Sequence, residues 1–274
     1  MKLTIDTKIE LNNGVKMPIL GLGTWKITGT DAINTVKWAL EAGYRHIDTA
    51  KLYNNETQIG IAIKESDISR EDIFITSKVW DRDQGYQSTI KALDRSLKRL
   101  NSTYVDLYLI HWPRKSKRIE TWKALEKIYK EGKARAIGVS NYWIHHLQEI
   151  LDSFTIKPSI NQFELNPFLY RKELINFCKE KDISIEAYSP LTHGNKLDYP
   201  LLEKIAKKYH KSVAQILIRW GLQHEFIEIP KSSNKDHIIQ NSMVFDFELV
   251  EEEMKKLDKI DAKYQHLYDT SKWD

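Results

Sequence analysis

What most narrows the fold of this chain is an alternation. Eight short apolar runs, at residues 19–23, 45–48, 73–78, 105–111, 134–140, 159–164, 184–189 and 226–231, are separated by segments with helical period. Runs of this length read as buried strands. Between them, residues 31–42 set Ile33, Val36 and Leu40 on one face and stop at Gly43; residues 119–131 do the same with Trp122, Leu125, Ile128 and Tyr129, stopping at Gly132. Residues 201–209 and 212–222 repeat the pattern. Eight strands alternating with helices in 274 residues predict an α/β chain folded as a (β/α)8 TIM barrel. A doubly wound sheet is the rival, but nothing marks a sheet edge, a linker or an internal repeat, so residues 1–274 are expected to form a single domain. Ahead of the first run, residues 4–11, a turn at Asn12-Asn13-Gly14 and residues 15–18 read as a β-hairpin, because Asn and Gly tolerate positive φ. A short tail follows Ala262.

A barrel brings four polar residues together. Asp48 ends the second run, Tyr53 lies in the loop behind it, Lys78 ends the third run and His111 the fourth. Consecutive barrel strands are neighbours, so these side chains converge at the C-terminal face. Each has an ordinary reading taken singly: a turn aspartate, a core tyrosine, an ion-paired lysine, a satisfied histidine beside Trp112 and Pro113. Together they make a proton-donating constellation. Free tyrosine, with a pKa of about 10, is a poor acid near neutrality. A neighbouring Lys78 cation is expected to lower that value, with Asp48 holding the ammonium. His111 offers a hydrogen bond to a substrate carbonyl. Protonating a carbonyl oxygen suits hydride delivery to its carbon, which requires a cofactor. A Schiff-base role for Lys78 ranks low, since a paired Asp48 keeps the amine protonated.

Composition excludes several function classes. Acids and bases are interleaved, as in EEEMKKLDK, and the net charge is only +4, which describes a solvated surface and no nucleic-acid partner. No run reaches the roughly 18 apolar residues of a membrane span. The opening MKLTIDTKIEL alternates polar and apolar residues and lacks a signal peptide's apolar region. Cys178 is the only cysteine, so no internal disulfide is possible, which favours the cytoplasm. A monomer without membrane contact or metal is expected.

Gly21-Leu22-Gly23-Thr24-Trp25 invites a dinucleotide reading, but Lys26 stands where G-x-G-x-x-G needs its third glycine. Any nicotinamide cofactor is therefore held without a Rossmann unit. The better phosphate candidate follows the eighth run, at Ile229-Pro230-Lys231-Ser232-Ser233-Asn234, where a cation and hydroxyls lead into a short helix.

The motif Gly43-Tyr44-Arg45-His46-Ile47-Asp48-Thr49-Ala50 with Tyr53 and Asn55-Glu56 resembles the aldo-keto reductase superfamily. So do Asp106-Leu107-Tyr108-Leu109-Ile110-His111-Trp112-Pro113, Gly138-Val139-Ser140-Asn141, Tyr188-Ser189-Pro190-Leu191 and Ile229-Pro230-Lys231-Ser232. The resemblance implies an oxidoreductase that reduces aldehydes and ketones with NADPH, NADH being possible, in which Asp48, Tyr53, Lys78 and His111 form the catalytic tetrad and Tyr53 is the acid. It further implies cofactor contacts from Ser140, Asn141 and Gln162 to the carboxamide, from Tyr188 to the ring, and from Thr24, Trp25 and Asp48 beside it. Ser189 and Leu191 would follow the pyrophosphate, Lys231 and Ser232 the 2′-phosphate, with His237, Gln240 and Asn241 around the adenosine.

Three positions depart from the family pattern: Asn54 where Gly is common, His237 where an arginine usually faces the 2′-phosphate, and Gln240 where Glu is frequent. The loops after His111 and Tyr188 are short, implying an open substrate cleft lined by Trp25, Tyr53, Trp80, His111 and Trp112, with Trp273 of the tail folding over it. Arg114, Lys115, Lys117 and Arg118 could favour anionic carbonyls, though a solvated basic loop is the simpler reading. The competing function is a cofactor-sensing subunit of a larger assembly.

Overall fold

The computed structural model describes residues 2–274. All eight apolar runs become strands of one parallel sheet: β3 (Leu22–Gly23), β4 (His46–Asp48), β5 (Phe74–Val79), β6 (Val105–Ile110), β7 (Ala134–Ser140), β8 (Ile160–Glu164), β9 (Ser184–Tyr188) and β10 (Ile227–Glu228), each beside the next. The sheet closes on itself. Gly21 N donates to Glu228 O at 2.8 Å, Glu228 N to Ile19 O at 2.9 Å and Gly23 N to Pro230 O at 3.1 Å. Closure runs through single bridges, Leu20 to Glu228 and Gly23 to Lys231, so the ladder strands here are shorter than the apolar runs that supply them.

The hairpin precedes the barrel as β1 (Lys8–Glu10) and β2 (Lys16–Pro18), paired antiparallel with Ile9 opposite Met17. Its first strand is shorter than expected. Thr4 N donates to the Thr7 hydroxyl at 2.8 Å and Thr7 N to Thr4 O at 3.0 Å, a local turn that takes those groups out of the ladder. Leu11 and Met17 pack with Phe74, Leu107, Leu109, Ala136, Ile160 and Ile227 in a cluster of their own. The strands' early residues pack against the hairpin, which leaves the opposite end free for a site.

The helices coat the barrel. α1 (Gly29–Glu41), α4 (Arg118–Lys130), α7 (Pro200–Tyr209) and α8 (Val213–Gln223) match the periodic segments to within two residues. Gly43 and Gly132 follow two of them at φ +95° and +71°, conformations an L side chain resists. Ser212 caps α8 by accepting from Gln215 N, and the Gln215 side chain accepts from Ser212 N in return. Five further helices were not singled out by periodicity: α2 (Glu56–Lys64), α3 (Tyr86–Leu100), α5 (Ile144–Ser153), α6 (Lys172–Glu180) and α10 (Glu251–Asp258). The buried face of α3 sets Ala92, Leu93, Leu97 and Leu100 beside Thr89 and Ser96, a clear amphipathic pattern that the sequence reading passed over. α9 (Lys235–Ser242) is the short helix expected beyond Lys231, capped by Asn234.

Candidate active site

The barrel delivers the expected convergence. Asp48 is the last residue of β4, Lys78 the penultimate residue of β5, and His111 follows β6 directly. Lys78 Nζ lies 2.6 Å from both Asp48 carboxylate oxygens and 3.1 Å from Thr49 O, and Gln162 Nε2 donates to Asp48 Oδ2 at 2.9 Å. Both charged side chains are buried, so each is the other's counter-ion. Burial pushes the Asp48 carboxyl up, and the Lys78 charge and its hydrogen bonds pull it back.

Tyr53 closes a one-turn 3-10 helix, Lys51–Tyr53, that follows β4. Asn54 takes a left-handed φ of +55°, a conformation asparagine tolerates, so the departure from glycine leaves the turn intact. Asn55 anchors the loop: its amide donates to Thr24 O and Ile27 O, each at 2.9 Å, and accepts from the Thr49 hydroxyl at 2.6 Å. Glu56 accepts from the Ser77 hydroxyl at 2.7 Å and pairs with Arg99.

Lys78 Nζ is 5.2 Å from the Tyr53 ring centre, and the Tyr53 and His111 rings are 5.8 Å apart. The expectation that Lys78 lowers the phenol's pKa is corrected here. Burial first, then the Asp48 charge, then Glu186 hold the Tyr53 hydroxyl well above its ordinary value. The phenol is a held proton. Burial and Lys78 push His111 well below the usual imidazole range, so its ring is neutral.

A cleft of about 280 Å³ opens above these groups. Trp25, Tyr53, Trp80, His111 and Trp112 all line it, with Trp80 and His111 rings 5.4 Å apart. Thr24, Asp48, Ser140, Asn141, Gln162, Tyr188, Ser189, Leu191 and Lys231 line it as well. Ser232, His237, Gln240 and Asn241 lie beyond that wall, on the loop and α9 behind Lys231; His237 and Gln240 are exposed and Asn241 is buried.

Asn141 has its amide largely committed. It donates to His111 O and to the Ser140 hydroxyl, both at 3.0 Å, and accepts from the Tyr188 hydroxyl at 2.7 Å. It therefore fixes His111, Ser140 and Tyr188 relative to one another. The cleft suits a long group with a polar planar head and an anionic tail. Buried amides and a hydroxyl gather at its inner end, the exposed Lys231 ammonium stands at its rim, and His111 Nδ1 is buried without a partner.

Sequence reasoning missed Leu52, Pro190, His193, Leu267 and Tyr268, which also line the cleft. Leu52 carried a signal, being a large apolar residue in the polar loop behind Asp48. Trp273 does not fold over the cleft. Its ring packs on Trp112 at 5.6 Å and lies 5.0 Å from the Arg114 guanidinium, while Leu267 and Tyr268 form the rim. The basic loop is engaged elsewhere: Arg114 pairs with Asp81, Lys115 with Asp274 at 3.1 Å, and Arg118 with Glu149. None of Arg114, Lys115, Lys117 and Arg118 lines the cleft.

Residues 19–262 match the model of the aldo/keto reductase family. A glyoxal reductase of Bacillus subtilis (strain 168) is 52% identical over 261 residues, which cover 95% of each chain. Among solved structures, an aldo-keto reductase from a deep-sea metagenome library superposes with a TM-score of 0.95 at 45% identity, covering 97% of this chain and 99% of that one. A Bombyx mori aldo-keto reductase solved in complex with NADP superposes at 0.91 with 36% identity, covering 98% and 97%. Barrel, cleft and sequence agree, and the chain belongs to the aldo/keto reductase family.

Proposed function

We propose that this protein reduces small reactive aldehydes and ketones, glyoxal-type carbonyls among them, to alcohols, with Tyr53 as the proton donor and NADPH as the reductant. The observation that carries the reading is the phenol: Tyr53 stands in the cleft wall holding its proton, beside a neutral His111 and the Lys78–Asp48 pair. When bound, NADPH supplies the hydride. Tyr53 gives its proton to the carbonyl oxygen and is left as a tyrosinate. Lys78, 5.2 Å from the ring centre, supplies a cation beside that new charge, and His111 orients the oxygen by a hydrogen bond. Ser140, Asn141, Gln162 and Tyr188 would hold the cofactor's nicotinamide end, with Thr24, Trp25 and Asp48 beside it. Ser189, Leu191, Lys231, Ser232, His237, Gln240 and Asn241 would hold the rest. NADH, lacking the 2′-phosphate, would be held less well. The Bacillus subtilis relative's name and the NADP in the Bombyx mori structure support cofactor and substrate class. The reading extends to a cytoplasmic, single-domain monomer; for the compartment, the lone buried Cys178, which has no disulfide partner in the chain, supports it.

The test is NADPH oxidation against a panel of glyoxals, nitrobenzaldehydes and simple ketones, with Tyr53→Phe alongside. Turnover by the variant should fall about 10²–10⁴-fold, the usual worth of general acid catalysis, with NADPH binding kept. Near-normal reduction by Tyr53→Phe would transfer the acid role to His111. A wild type that binds NADPH yet reduces nothing in the panel would overturn the enzymatic reading.

A further inference from the structure

Beneath the Lys78–Asp48 pair, the barrel interior holds a second polar layer that the reaction as derived leaves unused. Glu186, on β9, is fully buried, and neither of its carboxyl oxygens has a hydrogen-bond partner. The β8–β9 register sets it opposite Gln162, whose amide donates to Asp48. On β4, His46 Nε2 lies 3.5 Å from Glu186 Oε1 and 3.1 Å from the Thr76 hydroxyl of β5. On β10, Glu186 faces apolar Ile227.

The charges here do not balance. Two buried carboxyls, Asp48 and Glu186, share one lysine, and Asp48 holds Lys78 through both its oxygens. His46 cannot serve as a second cation, since burial and the Lys78 charge push its ring down to about 3. An ionised Glu186 would lie next to another carboxylate, helped only by the Gln162 amide, which already donates to Asp48, and by the Lys78 charge; burial and Asp48 outweigh both and favour keeping the proton.

We propose that Glu186 is a positioning residue of the reduction: by retaining its proton it keeps a second negative charge from building up beneath Tyr53. The proposal rests on Tyr53 being the acid. Burial first, and then the Asp48 charge, push the Glu186 carboxyl up to about 8. It is therefore neutral near pH 7 and ionises on the alkaline side. Its charge, once present, pushes the Tyr53 phenol further up. Proton donation then leaves a tyrosinate next to an extra anion, and reduction slows. The alkaline limb of the rate profile reports Glu186 in place of Tyr53, with a midpoint of about 8.

Two measurements test this. Infrared difference spectra of the wild type between about pH 6 and about pH 10 should show a protonated-carboxyl band that titrates. Glu186→Gln should lose the part of the band that titrates at about 8 and keep that of Glu228, a second buried acid, while Glu228→Gln should keep the Glu186 part. In the rate profile, Glu186→Gln, which mimics the neutral acid, should move the alkaline limb of kcat upward by about one unit or more with KM little changed. A wild type with no titrating carboxyl band overturns the proposal, whatever the variant's folding; so does a folded Glu186→Gln with the wild-type alkaline limb. Failure of the wild type to reduce any carbonyl would instead strike the Tyr53 assignment, while the infrared band still reports on Glu186.

Discussion

Lys78 spends all three of its N–H bonds inside the protein, two on Asp48 at 2.6 Å and one on the Thr49 carbonyl at 3.1 Å. None is left for Tyr53. The lysine acts on the phenol through space, and Asp48 sets how much of its charge reaches that far. The pair is thus one electrostatic unit whose halves cannot be removed independently.

Lys78→Met should leave Asp48 buried and unpaired, lowering stability by about 3–5 kcal/mol and abolishing measurable turnover. Asp48→Asn leaves the ammonium without its counter-ion and should also destabilise. The double variant should cost clearly less than the two single costs added together, because removing both partners leaves no stranded charge. Urea denaturation of the four proteins measures this. Strictly additive costs would mean that the two groups are not coupled.

Cofactor choice turns on the first turn of α9. His237 is exposed there, and its backbone N–H is taken by the Asn234 cap at 3.0 Å, which fixes the start of the helix on which its side chain stands. Arginine keeps its charge at every working pH and offers a planar fork that suits phosphate. His237→Arg should tighten NADPH about 5–10-fold, on the order of 1 kcal/mol for one added phosphate contact, and leave NADH nearly unchanged. His237→Ala should weaken NADPH only. Dissociation constants by fluorescence quenching check both, and equal effects on the two cofactors would remove His237 from the phosphate site.

Much of this architecture was legible because three of the four catalytic candidates close an apolar run. Asp48, Lys78 and His111 mark strand ends, and barrel closure makes those ends adjacent. What stayed hidden depends on side-chain direction, which periodicity does not carry. Asn141 offers its amide to its protein neighbours, and Tyr268 reaches the cleft where Trp273 was expected. Glu186 had left a trace as an acid inside the apolar run 184–189, but only the register with β8 and β4's nearness reveal how few partners it has. Helix α3 was legible too, since Leu93, Leu97 and Leu100 recur at helical spacing between charged residues.

The sharpest packing prediction concerns Gly221 of α8 and Glu228 of β10. A methyl group on Gly221 would lie 1.5 Å from Glu228 Oε1 and 2.5 Å from its carboxyl carbon, so the glycine exists to admit that side chain. Gly221→Ala should destabilise by about 1–3 kcal/mol through overpacking, less up to ~1 kcal/mol regained from alanine's helix propensity. Adding Glu228→Ala should recover much of the loss. Glu228 itself is fully buried with neither oxygen partnered, and burial holds its carboxyl well above the ordinary range. A raised folded-state value means that its contribution to stability is complete below the unfolded value of about 4.3 and is lost as pH climbs toward the folded one. Glu228→Gln has no such slope, whatever constant cost its amide carries. The variant's stability relative to wild type should therefore improve steadily from about pH 4 upward. Denaturation midpoints at several pH values decide it, and parallel curves for the two proteins would show that Glu228 is not a neutral buried acid.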